Sequence, residues 1–229
     1  MKASIILFPG TNREKDMSMA LEKATGKTPD IIWHKETDLG SPDLIILPGG
    51  FSYGDYLRCG AMAAHSPIMK EVIKCAEKGT RILGVCNGFQ MLLETQILPG
   101  ALLKNSSLKF ICKKVFLKTE AQSKDFTKNL PAGRIIKVPV AHGEGNYYAD
   151  NDIINKLENE DRIAFRYCDA DGNITDEANP NGSVNNIAGI YNKRKTILGM
   201  MPHPENATQS WQDNETGTAL FTSIVEALA

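Results

Sequence analysis

The sequence predicts an α/β fold, an open and mostly parallel sheet flanked by helices, with a nucleophile elbow and an antiparallel extension. Before Leu98-Pro99-Gly100, short apolar runs alternate with helical segments, which is typical of a parallel sheet covered on both faces. After that turn, strand-like runs follow one another, which indicates antiparallel pairing. Because the sequence contains no linker, repeat or low-complexity tract, we expect a single domain over residues 1–229.

Strands and helices are predicted to alternate in the first part of the chain. The strands are short apolar runs at residues 4–8, 31–33, 43–47 and 82–85. Apolar residues at helical spacing predict helices over residues 17–24 and 68–76. Gly26 and Gly79 follow these helices and are predicted to end them.

The second part of the chain is dominated by predicted strands. These lie at residues 110–118, 134–140, 162–167, 187–191 and 196–200. Residues 192–195 are predicted to form a hairpin turn between the last two. An amphipathic helix is predicted over residues 216–228.

A change of period at residues 84–88 marks the most informative stretch of the sequence. Gly84-Val85-Cys86-Asn87-Gly88 joins an apolar strand to a helical pattern, with a cysteine at its centre. This G-x-C-x-G frame matches a nucleophile elbow, in which a sharp turn lifts one side chain clear of the sheet. A helix that begins just after the sulfur favours the thiolate over the thiol. Cys86 is therefore a candidate nucleophile, the alternative being an inert cysteine of the core.

The other cysteines lack this strand–turn–helix frame. Cys75 lies in a helical pattern, Cys112 and Cys168 in strand patterns, and Cys59 in a glycine-bounded loop. Five widely scattered cysteines do not resemble a disulfide framework. We therefore expect a reducing, cytoplasmic setting, in which a thiolate nucleophile survives.

A cysteine nucleophile needs a base, and the base needs a group that orients it. His142-Gly143-Glu144 and His203-Pro204-Glu205 both place a glutamate two residues after a histidine. In extended backbone such residues point the same way, so the glutamate can orient its own histidine. Pro204 favours an extended conformation at His203, whereas Gly143 fixes nothing. The physical argument favours His203 but leaves His142 open.

An acyl transfer also needs donors for the developing oxyanion. The backbone N–H of Asn87, directly after the nucleophile, is one candidate. The loop that follows Pro48-Gly49 supplies a second, from Gly50 or Phe51. The alternative is that this loop is only a tight turn.

Several functional classes are disfavoured by what the sequence lacks. A net charge of −1 provides no basic field for nucleic acid. No segment approaches the roughly 18 apolar residues of a membrane helix. There is no phosphate loop, C-x-x-C or H-E-x-x-H motif, so we expect neither ATP nor a metal to bind this chain.

With these motifs in place, the sequence resembles a class I, triad-type glutamine amidotransferase, a family with a flavodoxin-like fold. The resemblance rests on residues 48–50, 86–90 and 202–205. A closer likeness to one branch of this family adds motifs, in family order, at residues 9–12, 50–58, 139–145, 179–183 and 199–205. It implies that Cys86 attacks the side-chain amide of glutamine, that His203 shuttles the proton and that Glu205 holds the histidine.

The same resemblance implies roles around the nucleophile. Gln90 matches the glutamine that lines the substrate pocket, and Gly50 and Asn87 match the oxyanion donors. His142 is placed in a loop near the pocket or the partner. Residues 105–125 carry no family motif.

The resemblance also implies a division of labour between polypeptides. This chain would release ammonia without a cofactor of its own. A large ATP-binding synthetase subunit, carrying ATP and magnesium, and a small third subunit would complete the assembly. Two other hypotheses remain open, a stand-alone cysteine hydrolase or peptidase and a redox-sensing binding module.

Overall fold

A computed structural model describes residues 1–56 and 58–228 of the chain. In these residues one nine-stranded sheet dominates the fold, and a small two-stranded sheet lies beside it. The strands are β1 (Ala3–Leu7), β2 (Asp30–Trp33), β3 (Leu44–Leu47), β4 (Arg81–Val85), β5 (Ala101–Leu103), β6 (Ile111–Thr119), β7 (Ile135–His142), β8 (Asn146–Tyr148), β9 (Ile163–Cys168), β10 (Ile187–Tyr191) and β11 (Ile197–Met200).

The large sheet is mixed, with the order β2-β1-β3-β4-β11-β10-β9-β6-β7. The strands from β2 through β11 in that order pair in parallel, and those from β11 through β7 pair antiparallel. The predicted fold class is confirmed, and the antiparallel strands continue the parallel sheet edge to edge. Strands β5 and β8 form the small antiparallel pair.

Burial along the strands follows their place in the sheet. Every residue of β3 is buried, as expected for a central parallel strand covered on both faces. Along β7, buried and half-buried residues alternate, because one face of the antiparallel part is more open. The hydrophobic core therefore lies on both faces of the central strands β3, β4, β11 and β10, and on one face at the antiparallel edge strand β7.

Helices cover the sheet, and two of them end at a glycine. They are α1 (Glu14–Thr25), α2 (Ala61–Ala64), α3 (Pro67–Lys78), α4 (Asn87–Glu94), α5 (Asn151–Asn159) and α6 (Thr218–Ala227). Gly26 and Gly79 cap α1 and α3 in the left-handed conformation, at φ of 69° and 90°, as predicted. Helix α6 packs on α1, and α4 packs on β3, β4 and β11. The connection through α1 runs from β1 to β2 and that through α3 from β3 to β4, in opposite directions along the sheet. Because such parallel connections are right-handed, α1 and α3 are expected on opposite faces.

The elbow depends on a close approach between α4 and the end of β3. A β-carbon on Gly88 would overlap the backbone oxygen of Leu47. One on Gly84 would lie 2.5 Å from the Leu92 side chain. The two glycines thus let α4 sit directly against the sheet, and this brings the loop after β3 beside Cys86.

Gly88→Ala should therefore lower the free energy of unfolding by more than about 2 kcal/mol, because the overlap is with backbone and relief requires shifting α4. Gly143→Ala is the matched control, since its β-carbon would find its nearest neighbour at 3.9 Å. Urea unfolding of both variants measures the difference. Equal stability of the two would show that α4 does not depend on this contact.

Candidate active site

Cys86 stands at the junction of β4 and α4 in a strained backbone conformation. Its φ and ψ are 52° and −107°, in a region that residues with a side chain rarely occupy. The turn is held by two hydrogen bonds: the Cys86 N–H donates to Met200 O at 2.8 Å, and the Gln90 N–H donates to Cys86 O at 3.1 Å. The thiol lies 3.8 Å from Ala141 O. This is the geometry expected of a nucleophile elbow.

His203 and Glu205 form a buried pair just after β11. Nδ1 of His203 lies 2.7 Å from Oε1 of Glu205. Because a carboxylate only accepts, Nδ1 carries the proton and donates it, which directs Nε2 away from the glutamate. The His203 N–H also donates to Pro139 O at 2.9 Å, which fixes the backbone. The glutamate is fully buried, so it orients the ring without contact with water.

Electrostatics favour the protonated form of His203. Burial opposes the charge, but the Glu205 carboxylate and the adjacent Cys86 sulfur raise the pKa of His203 to about 10. Among the described residues, Nε2 of His203 has no partner that meets hydrogen-bond geometry. The same stretch of β7 contacts both residues, since Pro139 O accepts from the His203 N–H and Ala141 O lies 3.8 Å from the Cys86 sulfur.

The loop after β3 brings Gly50 and Phe51 to the same place. Gly50 forms an isolated bridge with Thr11, and a β-carbon on Gly50 would lie 2.5 Å from Gly10 O. The Phe51 N–H donates to Gly10 O at 3.0 Å, so it is already occupied. Within the described part of the chain, the Gly50 N–H donates to no backbone carbonyl. Of the two residues expected to supply an oxyanion donor, Gly50 is therefore the better candidate.

Asn87 and Gln90 link the elbow to two surrounding loops. Oδ1 of Asn87 accepts from the Ser52 N–H at 3.2 Å, and its Nδ2 donates to Gln90 Oε1 at 2.8 Å. Nε2 of Gln90 donates to Glu144 O at 2.8 Å. Both side chains are buried. Gln90 is thus held at the pocket by partners on either side of its amide.

A cavity of about 400 Å³ opens beside the thiol, which is within the usual size range of small-molecule sites. Four charged side chains, two acidic and two basic, lie on its wall. The lining residues are Gly50, Phe51, Asp55, Cys59, Cys86, Gln90, Lys104, Leu108, Lys109, Phe110, Ala141, His142, Gly143 and Glu144. A larger and more open cleft, of about 960 Å³, lies near the ends of α3 and α4 and does not include Cys86.

An acidic pair around Cys59 forms one side of the cavity. Burial, and then the carboxylates of Asp55 and Glu144, raise the pKa of the Cys59 thiol far above its ordinary value. Burial also raises the pKa of Asp55. This thiol is held as an unreactive SH, in agreement with the lack of any elbow around it. Leu57, which belongs to the motif at residues 50–58, lies outside the described residues.

The expectation that His142 lies in a loop is wrong. His142 is the last residue of β7 and is buried, with Nδ1 3.0 Å from Oδ1 of Asn105. Glu144, two residues later in the sequence, is not hydrogen-bonded to the His142 ring. Its carboxylate lies 3.4 Å from the Cys59 backbone nitrogen. Burial, and then the charge of His203, lower the pKa of His142 to about 4. Of these two histidines, only His203 is hydrogen-bonded to its own glutamate.

The H-x-E spacing also occurs at His34, two residues before Glu36. The His34 ring is buried, and its Nδ1 lies 2.9 Å from the Tyr53 hydroxyl and 3.2 Å from Ser66 Oγ. It does not line the cavity beside Cys86. Spacing alone therefore marks three histidines, and the fold brings two of them to the thiol.

Among the described residues, no group of three or more histidine, cysteine or acidic side chains is placed to hold a metal ion. None of the described helices is both long and apolar enough to cross a membrane.

The elbow cysteine and the buried histidine–glutamate pair define a candidate cysteine-nucleophile site on an α/β fold. Comparison with known proteins gives the family. The chain belongs to the family of CobB/CobQ-like glutamine amidotransferase domains, whose model matches residues 1–223. The resemblance drawn from the motifs is thus confirmed.

The relatives narrow the class to one enzyme. The phosphoribosylformylglycinamidine synthase subunit PurQ of Bradyrhizobium diazoefficiens is 51% identical over 229 residues, covering 100% of this chain and 98% of that protein. The subunit of the same name from Rhodospirillum rubrum is 51% identical over 230 residues, covering both chains completely.

Solved structures agree with this relationship. A chain in the structure of PurLQS from Thermotoga maritima has a TM-score of 0.88 and 41% identity, covering 100% of this chain and 99% of its own. A glutamine amidotransferase from Thermotoga maritima has a TM-score of 0.53, covering 90% of this chain and 76% of its own. At 18% identity, this second likeness bears on the fold alone.

Proposed function

We propose that this chain is the glutaminase subunit of phosphoribosylformylglycinamidine synthase. It hydrolyses glutamine to glutamate and ammonia, and an ATP-dependent synthetase subunit uses the ammonia to convert formylglycinamide ribonucleotide to formylglycinamidine ribonucleotide in de novo purine biosynthesis. The observation that carries the proposal is the His203–Glu205 pair beside Cys86 at the elbow. It occurs in a chain about half identical, over its whole length, to subunits of that name.

The chemistry begins with the ion pair of Cys86 and His203. The thiolate attacks the side-chain amide carbon of glutamine and forms a tetrahedral oxyanion. The imidazolium gives its Nε2 proton to the amide nitrogen, the C–N bond breaks and ammonia leaves. A water then attacks the thioester and passes one proton to His203. Collapse releases glutamate and regenerates the thiolate–imidazolium pair.

Glu205 and the backbone around the sulfur assist both steps. The carboxylate holds the His203 ring by Nδ1 and stabilises its charge at 2.7 Å. The N–H groups of Asn87 and Gly50 would donate to the oxyanion, as elbow enzymes require. Gln90 would line the substrate pocket, held in position by the hydrogen bond from its Nε2 to Glu144 O. Phe51 would contribute its side chain, which lies on the cavity wall.

The charges of the cavity suit a free amino acid. Asp55 and Glu144 offer negative charge to an α-ammonium group, and Lys104 and Lys109 offer positive charge to an α-carboxylate. A glutamine within a peptide lacks both of these charges. The cavity therefore favours glutamine itself over the substrates of a peptidase.

The proposed assembly contains two further polypeptides. A large subunit binds ATP and magnesium and uses the ammonia, and a small third subunit completes the complex. The Thermotoga maritima assembly PurLQS, whose name combines three components, supports this composition. We place the chain in the cytoplasm, as one domain over residues 1–229 and without a cofactor of its own.

The test is glutamine hydrolysis by the full chain with and without its synthetase. We expect slow hydrolysis by the chain alone and strong stimulation by the partner. The loop at residues 51–56 contains Tyr53 and Asp55 at positive φ and lines the cavity through Phe51 and Asp55, and we expect it to take its working geometry only at the interface with the synthetase. Glutamate release measures both rates. Full turnover by the chain alone would argue for a stand-alone hydrolase. Oxidation of Cys86 without any acyl intermediate would argue for a redox-sensing module.

A further inference from the structure

Asn105 ties together two walls of the catalytic cavity. Its Nδ2 donates to Lys109 O and to His142 O, both at 2.8 Å. Its Oδ1 accepts from the Gly145 N–H at 3.1 Å and lies 3.0 Å from His142 Nδ1. Asn105 is fully buried. One side chain thus joins the loop at residues 104–110 to the segment at residues 141–145.

This network fixes which nitrogen of His142 carries the proton. Oδ1 of Asn105 can only accept, so Nδ1 of His142 must be the donor. In a neutral imidazole, Nε2 then holds a lone pair and acts as an acceptor. The lowered pKa of His142, about 4, is consistent with a neutral ring at neutral pH.

The acceptor nitrogen is held rigidly and has no protein donor. Nε2 of His142 has no hydrogen-bond partner among the described residues. The ring packs so closely on Gly145 that a β-carbon there would overlap it. A buried acceptor without a donor is costly, and such atoms in native proteins call for an explanation.

His142 lies close to the reacting centre. Pro139, three residues earlier on β7, accepts from the backbone of His203, and Ala141 O faces the Cys86 sulfur. The charge of His203 also acts on the His142 ring. His142 also lines the cavity that contains Cys86, so its ring and the nucleophile belong to one site.

We infer that His142 is a substrate-binding residue whose Nε2 accepts an N–H of the glutamine carboxamide, and that Asn105 is the positioning residue that makes this nitrogen an acceptor. The inference rests on the proposed function. It explains why a buried imidazole beside the triad is kept neutral and bonded to an amide rather than to a carboxylate. It also makes His142 a determinant of specificity, because an amide offers an N–H at the leaving group and an ester does not.

The test compares two substrates in the complex reconstituted from the full chain and its synthetase. L-glutamine and L-glutamate γ-methyl ester share their charged ends and form the same thioester with Cys86. His142→Leu, which removes the acceptor at similar volume, should lower kcat/KM for glutamine at least about tenfold, mainly through KM. The same change should leave kcat/KM for the ester within about threefold. His142→Gln, which can offer an amide oxygen, should recover part of the loss.

An equal loss with both substrates would show that His142 only supports the wall, and it would overturn the inference. No loss with either substrate would overturn it as well. If the wild-type complex hydrolyses the ester but not glutamine, the proposed function itself fails, and the inference fails with it. Wild-type glutaminase activity combined with equal losses in His142→Leu removes the inference alone.

Discussion

Replacing Cys86 by alanine should abolish glutamine-dependent synthesis by the complex and leave synthesis from added ammonia largely intact. Without the sulfur no thioester forms, and loss of a catalytic nucleophile costs on the order of 10⁶-fold in related chemistry. We therefore expect glutamine-dependent turnover to fall by at least about 10⁴-fold. The ammonia-dependent reaction needs only the synthetase, so it should stay within about threefold of wild type.

The measurement is product formation by the reconstituted complex with glutamine or with ammonium chloride. Cys75→Ala is the matched control, because Cys75 is a half-buried residue of α3 and is not among the residues lining the cavity. It should retain both activities. Loss of both activities in Cys86→Ala, with the complex still assembled, would contradict a separate ammonia-producing site.

Much of the fold followed from local signals in the sequence. The buried run of β3 and the glycine stops of α1 and α3 each depend on neighbouring residues only. The place of β11 could not be predicted in this way. It lies between β4 and β10, parallel to the first and antiparallel to the second, and this order depends on contacts distant in sequence.

Some short elements were not predicted, for different reasons. Helix α5 has Asp150 as a side-chain cap on the Ile153 N–H, at 2.8 Å, but it buries only Ile154 and Leu157. Such a sparse apolar pattern is weak in sequence, although the cap was a usable signal. Strands β5 and β8 have three residues each and exist because they pair with one another. Pairing between positions 101 and 148 has no local sequence signal.

The site likewise combines features that have a local sequence signal with features that depend on long-range contacts. Cys86 stood out because strand, turn and helix are contiguous there. The histidine was ambiguous, because His142 and His203 have the same spacing to a glutamate. The fold separates them, since Glu205 turns toward its histidine and Glu144 turns toward Cys59. Asn105 was not recognised at all, because its partners lie up to 40 residues away and no local pattern indicates them.

His203→Ala should remove the proton shuttle and lower glutaminase turnover by about 10²–10⁴-fold, the usual contribution of a general base. It should also slow alkylation of Cys86 at neutral pH, because no imidazolium remains to stabilise the thiolate. Glu205→Gln should cause a smaller loss. It keeps an acceptor for Nδ1 but removes the carboxylate that raises the pKa of His203, so less of the ring is protonated at high pH.

Single-turnover thioester formation at saturating glutamine separates these effects from binding. His142→Ala is the comparison, because His142 lines the cavity beside Cys86 but is not hydrogen-bonded to its own glutamate, Glu144. At saturation it should acylate at close to the wild-type rate, since its loss acts on glutamine affinity. The pH dependence of Cys86 alkylation should change in His203→Ala and stay near wild type in His142→Ala. Should His142→Ala block acylation while His203→Ala does not, the base in this enzyme would be His142, and the pairing of His203 with Glu205 would be structural only.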